Sequence, residues 1–470
     1  MSRPAGDAMT TRLAVEPIGT PIDALRIPRV DAADPLDAAV GAANDRARND
    51  SLSVLAEVLP AVPFAELAQT ADGSVVSGSC AASGVLRQWV DGPALLDRLL
   101  ATHDIGTDHH RLVRDRTDLP VASMGERVHG EAGLATRLVA GPLLAQLNDG
   151  ATLVMNVVDL QDRALIRFTE HVERVFGCQV NINGYLGFRS DPGFDAHWDD
   201  HEVFVIQLIG RKEWEVHEPP VLSANRSTTA RDTSGRVAWK GVVGPGGVLH
   251  VPRGWGHDAR ATDELTFHLT VGVPRVSNLD LIDDMVDRLP AHPAGRALVP
   301  DLAAIDQTSW RPRLRDLVTE VSTPEAVAWA LARRWGGLPS RSTQSVRAAL
   351  GVLQGRIDTA DVFVRAPHPG GVLLANDEPG RRRVVFGGCD ASVGEAALEV
   401  LAPRLDGRAH RMADVVAAAP RASGAAQVVR EAIAVGLLEV VEDLGAWGVV
   451  TEPVGSARRW DGSTADESRA

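Results

Sequence analysis

The stretch that decides the fold reads Gly193-Phe-Asp-Ala-His197-Trp-Asp199-Asp-His-Glu-Val-Phe-Val-Ile-Gln-Leu208. Because alternate residues of a β-strand share one face, His197 and Asp199 point the same way. A third ligand from a later strand would complete a metal site, and His257 in Gly254-Trp-Gly-His257 is well placed to supply it. Two histidines and one carboxylate bind one face of iron(II) and leave three positions open, enough for a bidentate 2-oxo acid and dioxygen. We therefore expect His197, Asp199 and His257 to bind a metal ion.

Other polar residues near this stretch compete for the same role. His201 has the strand parity of His197 and Asp199, but it lies two residues beyond Asp199, roughly 6–7 Å along the strand. We therefore expect it to contact the substrate or the metal ligands rather than the metal itself. Asp200 faces the other way and is expected to be solvated. His217 and His250 lie in or beside strands, where a surface or hydrogen-bonded histidine is the more common case.

Short β-prone runs surround the candidate ligands, and each is bounded by glycine- or proline-containing turns. Closely spaced strands of this kind predict a jelly-roll or small barrel. The runs are Gln179–Gly187, Glu202–Ile209, Glu213–Val216, Val248–Val251 and Leu265–Val273.

A lysine opens one of these strands. Lys212 shares its face with Trp214 and Val216, and only one other lysine, Lys240, occurs among the 48 basic residues of the chain. An inward-facing cation is what the distal carboxylate of a bound 2-oxo acid requires. We therefore expect Lys212 to bind that carboxylate.

The spacing of these motifs resembles the JmjC/cupin-like ribosomal oxygenase family, strongly over Leu153–Val273. The matching pattern is His197-x-Asp199, then Gly210-Arg-Lys212-x-Trp214, then Gly247-x-Leu-x-x-Pro-x-Gly-x-x-His257. The resemblance implies a double-stranded β-helix with iron(II), with 2-oxoglutarate as cosubstrate and with O2. It also implies a cosubstrate pocket lined by Lys212, Asn183 and Tyr185. Thr270 shares strand parity with His268 and Gly272, so it could donate to the distal carboxylate as well. Some relatives carry a hydroxyl residue two positions after Thr270, where this chain has Gly272.

The same resemblance implies the reaction and the partners. It predicts hydroxylation of an arginine or histidine side chain in a protein or peptide, with ribosomal proteins as the precedent. It also predicts a homodimer formed through about residues 278–340. A natural-product hydroxylase, an N-methyl demethylase and a catalytically inactive cupin-like scaffold remain alternatives. The last is disfavoured because the triad and the lysine are all present.

The expected fold class is α+β, with the jelly-roll core flanked by helices. We expect residues 1–50 to be disordered and residues 51–275 to form the oxygenase domain, with its β-helix core at about 179–273. A helical linker and dimerisation segment follows at 276–344. Three helices and a closing hairpin predict a winged-helix-like domain at 345–453, and residues 454–470 are expected to be a disordered tail.

Composition limits the remaining possibilities. The 470-residue chain carries a net charge of -14 and 44% hydrophobic residues, so it can bury a sizeable core. The negative charge makes nucleic-acid binding unlikely. No apolar run is long enough for a transmembrane helix, and neither a signal peptide nor a disulfide framework is evident. We therefore expect a soluble cytoplasmic protein without a membrane partner.

Overall fold

The computed structural model describes residues 15–17, 34–70, 74–79, 90–101, 109–120, 123–130, 133–189, 194–219, 233, 235–262, 264–287, 289–291, 293, 295–298, 307–341, 344–357, 362–376, 378–418 and 424–441.

Two β-sheets form the centre of the first half of the chain. The larger sheet has eight strands, and it places the long central strand of the opening motif between two antiparallel neighbours. In spatial order its strands are β2 (Val76–Ser79), β13 (Gly247–Val251), β10 (Glu202–Ile209), β15 (Thr266–Val273), β8 (Asn181–Gly187), β7 (Thr152–Met155), β3 (His110–Arg114) and β4 (Thr117–Leu119).

The smaller sheet has four strands and carries the candidate ligands. In spatial order they are β12 (Val237–Val243), β11 (Lys212–His217), β14 (Gly256–Ala261) and β9 (His197–Trp198). Val203 and Val205 of the larger sheet pack against Trp214 and Val216 of the smaller one in a shared apolar core. The two sheets thus face each other as a double-stranded β-helix, which confirms the predicted jelly-roll core.

Helices cover the outer face of the larger sheet. Phe204 and Ile206, which alternate with the inward valines, pack with the helices in a second and larger core. The helices are α1 (Pro35–Val58), α2 (Phe64–Gln69), α3 (Gly92–Ala101), α4 (Ala140–Asn148) and α5 (Arg163–Phe176), and a hairpin of β5 (Gly125–Gly130) and β6 (Gly133–Leu138) lies between α3 and α4 in sequence. Across the described ranges, no helix combines the length and the hydrophobicity that a bilayer crossing requires.

The expectation that residues 1–50 are disordered is wrong for Val15–Pro17, which form a short strand, and from Pro35 onward. Helix α1 begins there, with the Asp34 side chain accepting hydrogen bonds from the first turn, and it runs without interruption to Val58. Its first half buries Val40 and Ala43 in the core of the C-terminal region, whereas its second half packs into the core beneath the larger sheet. One helix therefore joins both halves of the molecule. Residues 1–14 and 18–33 and the expected tail at 454–470 lie outside the described residues.

Three α-helices lie among the described residues of the segment that follows the β-helix. They are α6 (Asn278–Val286), α7 (Gln307–Val321) and α8 (Pro324–Gly336).

The described residues of the C-terminal region, from residue 344 to residue 441, form four α-helices and two small sheets, one of which includes a strand from the N-terminus. The helices are α9 (Val346–Leu353), α10 (Glu395–Leu401), α11 (Met412–Ala417) and α12 (Ala425–Ala434). One sheet has the order β1 (Val15–Pro17), β19 (Cys389–Gly394), β18 (Arg381–Phe386) and β17 (Leu373–Asn376), and the other β20 (His410–Arg411), β16 (Phe363–Arg365) and β21 (Glu439–Val441). β21 pairs with β16, and the second strand of the expected closing hairpin lies outside the described residues.

Candidate active site

The three predicted metal ligands meet at the open end of the smaller sheet. His197 on β9 and His257 on β14 are directly opposite in the strand register, and their ring centroids are 4.5 Å apart. Asp199 follows β9, and its Oδ2 lies 3.7 Å from Nε2 of His257. One ligand atom from each residue falls within 4.8 Å of the other two, a grouping that could hold a metal ion.

Backbone carbonyls orient both imidazoles. His197 Nδ1 lies 2.8 Å from the carbonyl oxygen of Asp195, and His257 Nδ1 lies 3.3 Å from that of Trp255. Since a carbonyl can only accept, each Nδ1 must carry the proton, which leaves the Nε2 lone pair free to bind a metal. The donor set therefore fits a divalent ion that accepts two nitrogens and one carboxylate oxygen.

Burial keeps one of these ligands in the metal-binding form. His257 is 6% exposed, and burial, reinforced by the neighbouring His197, lowers its pKa to about 4 although Asp199 acts in the opposite direction. The ring is therefore neutral at physiological pH, as coordination requires.

A tight turn brings His257 back towards Asp199. Gly254 has φ 80°, a conformation that favours glycine, and its N–H donates to the carbonyl oxygen of Asp199 at 2.9 Å. The glycine of the sequence motif thus links the β13–β14 turn to the segment that carries the carboxylate ligand.

A cavity of about 630 Å³ opens beside the three ligands and contains Lys212. Lys212 is 7% exposed, and burial alone lowers the pKa of its ammonium group to about 8. No hydrogen bond or ion pair joins this ammonium group to another residue in the part of the chain that the structure describes. A carboxylate bound in the cavity would supply the missing partner.

Two further buried donors line the same cavity. Trp214 Nε1 and His268 Nδ1 have no hydrogen-bond partner among the described residues, although both atoms are inaccessible to solvent. Burial holds the pKa of His268 well below its ordinary value, and the charge of Lys212 lowers it further. Both residues could have been found in the sequence, because Trp214 shares the strand face of Lys212 and His268 that of Thr270.

Asn183 and Tyr185 line the cavity from β8. Asn183 Oδ1 accepts a hydrogen bond from Val157 N–H at 3.0 Å, and the Asn183 side chain also bonds to Tyr185. The Tyr185 ring stacks on His268 with centroids 4.9 Å apart and planes 6° from parallel. Burial and the charge of Asp199 raise the pKa of Tyr185 to about 12, so its hydroxyl stays protonated and can donate.

Thr270 and Gly272 face the cavity from β15. Thr270 is paired with Asn183 and is half-buried. At Gly272 a Cβ would come within 2.9 Å of both Asn181 Oδ1 and His201 Cδ2. The space that a hydroxyl side chain would occupy here is therefore taken by two polar side chains, and His201 lines the cavity without joining the ligand cluster.

The other competing residues have structural partners. The expectation that Asp200 is solvated is wrong, because its Oδ1 lies 2.6 Å from Arg253 Nη2. His250 is buried and bonds to Glu202 at 2.8 Å, and His217 lies 3.3 Å from Glu215. None of these residues lines the cavity.

The cavity mouth carries three arginines that sequence reasoning did not single out. Arg111 pairs with Asp118, Arg116 pairs with Asp195 at 2.6 Å, and Arg189 lies nearby. Two of them come from the β3–β4 region, far from the motifs in sequence, so no local signal could have revealed them.

Comparisons with known proteins agree with this geometry. Residues 154–281 match the family model described as JmjC domain. The chain is 35% identical over 145 residues to bovine (Bos taurus) "Ribosomal oxygenase 2", covering 29% of this chain and 31% of that protein. It is 31% identical over 128 residues to the Brugia malayi "Bifunctional lysine-specific demethylase and histidyl-hydroxylase NO66", covering 25% and 18% of the two chains.

A solved structure is also similar over a longer span. It is Escherichia coli YcfD, described as a ribosomal oxygenase in complex with cobalt and 2-oxoglutarate, with 14% identity, a TM-score of 0.47 and coverage of 81% of this chain and 98% of that one. The chain spans about a third or less of the length of the curated relatives named above. Residues 154–281 therefore resemble the JmjC domain, and part of the chain is similar to proteins named as ribosomal oxygenases.

Proposed function

We propose that this chain is an iron(II)- and 2-oxoglutarate-dependent oxygenase that hydroxylates a side chain of a protein or peptide. The observation that carries the proposal is the cluster of His197, Asp199 and His257 on the wall of a cavity that also holds the buried Lys212. A metal site with open positions beside an unsatisfied buried cation suits a ligand with a 2-oxo acid at one end and a carboxylate at the other.

The metal ligands would be His197, Asp199 and His257. The two neutral imidazoles and the carboxylate together contribute one negative charge to the ion. When bound, iron(II) supplies the activation of O2, in which one oxygen atom converts a substrate C–H into C–OH and the other enters succinate as 2-oxoglutarate loses carbon dioxide. The backbone carbonyls of Asp195 and Trp255 keep both rings aimed at the ion.

The cosubstrate would lie with its distal carboxylate against Lys212. Trp214 Nε1 and His268 Nδ1 are further donors that this carboxylate could satisfy, together with the hydroxyl groups of Tyr185 and Thr270. Asn183 accepts from Val157 through its oxygen, so its N–H groups remain available on the side of Tyr185 and the cavity. These groups orient the dicarboxylate and replace the water that would otherwise solvate it.

The proposed substrate class is taken from the names of the relatives. Those named above are described as ribosomal oxygenases or as a histidyl-hydroxylase and lysine demethylase. By analogy, we assign to this chain a protein or peptide substrate, with an arginine or histidine of a ribosomal protein as the first candidate. Formaldehyde release from an N-methylated peptide would instead favour demethylation.

The flanking regions have separate proposed roles. We assign residues 51–275 to the oxygenase domain and residues 345–453 to a winged-helix-like domain. Residues 276–344 would form a homodimer interface, because α6, α7 and α8 each present apolar side chains to solvent at helical spacing. These side chains are Leu279, Ile282, Val286, Leu314, Val318, Val327 and Leu331.

Ligand substitutions with a matched control test the proposal. With iron(II), O2 and 2-oxoglutarate, the wild-type protein is expected to form succinate that rises with a peptide substrate, and the peptide should gain one oxygen atom by mass spectrometry. His197→Ala and Asp199→Asn should reduce both signals to background and lower the bound metal per chain. Asp200→Asn changes the adjacent carboxylate outside the cluster and should retain activity. Full activity in Asp199→Asn would contradict the ligand assignment, and a wild-type protein that binds neither metal nor 2-oxoglutarate would favour the inactive scaffold.

A further inference from the structure

A buried arginine that follows α8 binds residues next to β8, the strand that carries Asn183 and Tyr185. Arg341 follows α8 and is 6% exposed. Its Nη1 lies 2.7 Å from Asp159 Oδ2, and its Nη2 lies 2.7 Å from Glu173 Oε1 and 2.6 Å from the carbonyl oxygen of Val180. One guanidinium thus joins a turn, a helix and the residue immediately before β8.

The same carboxylates bind the backbone at the start of β8. Asp159 Oδ1 accepts the N–H of Ile182 at 2.8 Å, and Glu173 Oε1 accepts the N–H of Val180 at 2.9 Å. Arg341, Asp159 and Glu173 therefore hold the start of β8 through three backbone groups, the carbonyl and N–H of Val180 and the N–H of Ile182.

This entry determines where the pocket side chains lie. Asn183 and Tyr185 follow on the same strand and line the cavity. Asn183 Oδ1 also accepts from Val157, a β-branched residue held at φ 54° in the turn that precedes Asp159. Such a conformation is unfavourable for valine and persists only where the surroundings enforce it. We infer that Arg341 is a positioning residue, which fixes this turn and β8 so that Asn183 and Tyr185 can bind the cosubstrate.

Charge explains why the arginine is needed. Asp159 and Glu173 are both fully buried, and burial raises the pKa of Glu173 although Arg341 opposes the shift. The two carboxylates in turn keep the pKa of Arg341 above its ordinary value despite burial. Without the guanidinium, Asp159 and Glu173 would lose their shared cation and the Val180 carbonyl oxygen would lose its donor, which weakens the link between the turn, α5 and the strand entry.

The chain offers a matched control in Arg365. This arginine is 2% exposed and bonds two buried carboxylates, Glu170 on α5 and Glu439 on β21. Arg365→Gln therefore breaks an ion-pair cluster of similar burial, one turn from Glu173 on α5, without removing a partner of the Val180 or Ile182 backbone. Arg365→Gln and Arg341→Gln should both lower the melting temperature, but only Arg341→Gln should weaken the binding of 2-oxoglutarate.

The inference rests on the proposed function, and its test separates the two. Calorimetric titration of the full-length, iron(II)-loaded protein with 2-oxoglutarate without oxygen should give a dissociation constant at least about tenfold higher in Arg341→Gln than in wild type or Arg365→Gln. KM for 2-oxoglutarate should rise in parallel, with kcat at saturation within about threefold. Hydrogen exchange of the peptide covering residues 180–187 should accelerate in Arg341→Gln alone.

The possible outcomes are distinct. If Arg341→Gln folds and its 2-oxoglutarate affinity and hydrogen exchange equal those of the wild type, the positioning role is overturned. If the wild-type protein itself does not bind 2-oxoglutarate, the proposed function is overturned. If Arg341→Gln does not fold, Asp159→Asn replaces it, because asparagine keeps an oxygen for Ile182 and leaves Arg341 balanced by Glu173. Its dissociation constant should rise severalfold, and an unchanged value would overturn the inference.

Discussion

Lys212→Met should stabilise the protein in the absence of cosubstrate and lower its affinity for 2-oxoglutarate. Burial lowers the pKa of this lysine from 10.5 to about 8. A pKa lowered from 10.5 to about 8 corresponds to roughly 3 kcal/mol that the buried charge costs the folded state at neutral pH. Methionine has a similar length and no charge, so Lys212→Met should raise the free energy of unfolding by about 2–3 kcal/mol.

The sign of the pH dependence follows from the same pKa. Because the pKa of Lys212 is lower in the folded than in the unfolded protein, its destabilising effect is complete below pH 8 and fades as the pH rises from about 8 towards 10.5. In the wild type, affinity for 2-oxoglutarate should fall about tenfold per pH unit above pH 8, since the empty site loses the proton that binding requires.

The loss of affinity can be given a scale. A hydrogen bond to a charged group contributes about 1.5–3 kcal/mol, so Lys212→Met should raise the 2-oxoglutarate dissociation constant about 10- to 150-fold. Urea unfolding of the metal-free protein and calorimetric titration of the metal-loaded protein measure the two effects. The other lysine provides the control, because Lys240 is exposed and pairs with Glu215, and Lys240→Met should change neither quantity appreciably. An affinity within threefold of wild type in Lys212→Met would refute the assignment of this residue.

Two further predictions concern stability and assembly. Burial lowers the pKa of His368 to about 4, so its neutral form stabilises the fold above pH 6.5 and this contribution is lost as the pH falls towards 4. Between pH 7 and 4, His368→Gln should therefore make the unfolding free energy fall less steeply with decreasing pH, by up to about 1.4 kcal/mol per pH unit. Urea unfolding at a series of pH values measures this slope. An unchanged slope would contradict the view that the buried, neutral His368 contributes to it. Leu314 and Val318 are both exposed on α7, so the double variant Leu314→Glu, Val318→Glu should turn a homodimer into a monomer in light scattering, with unchanged helix content. A double variant that stays dimeric would exclude this face of α7 as the dimer interface.

Strand alternation allowed the site to be predicted from sequence. Along β11, Lys212, Trp214 and Val216 are buried while Glu213 is exposed, as the period of two predicts. The same alternation predicted that His197 on β9 and the following Asp199 point the same way. The turn Pro252-Arg253-Gly254 indicated where β13 ends. This information is local, so it does not depend on knowing the rest of the fold.

Helix α1 was missed because its burial depends on distant partners. Its N-terminal half contains many alanines, aspartates and arginines, and it lacks the wide apolar face by which an amphipathic helix is recognised. Val40 and Ala43 become core residues only because the C-terminal region, more than 300 residues later, packs on them. Strand β18, which begins with three arginines, was missed for a similar reason, since its apolar half is short and only the fold shows where it is buried.

The buried charges show that the JmjC domain depends on segments outside it. The family match covers residues 154–281, yet Asp159, Glu170 and Glu173 within that range have their cationic partners Arg341 and Arg365 after it. An isolated buried carboxylate costs several kcal/mol, so Asp159 and Glu173 depend on Arg341 from the C-terminal half, whereas Glu170 is also paired with Arg174 inside the matched range. The domain's apolar core also includes α1 to α4, which precede it. The candidate metal ligands lie within a local sequence pattern, whereas the buried ion pairs that join this region to the rest of the fold come from residues far apart in sequence.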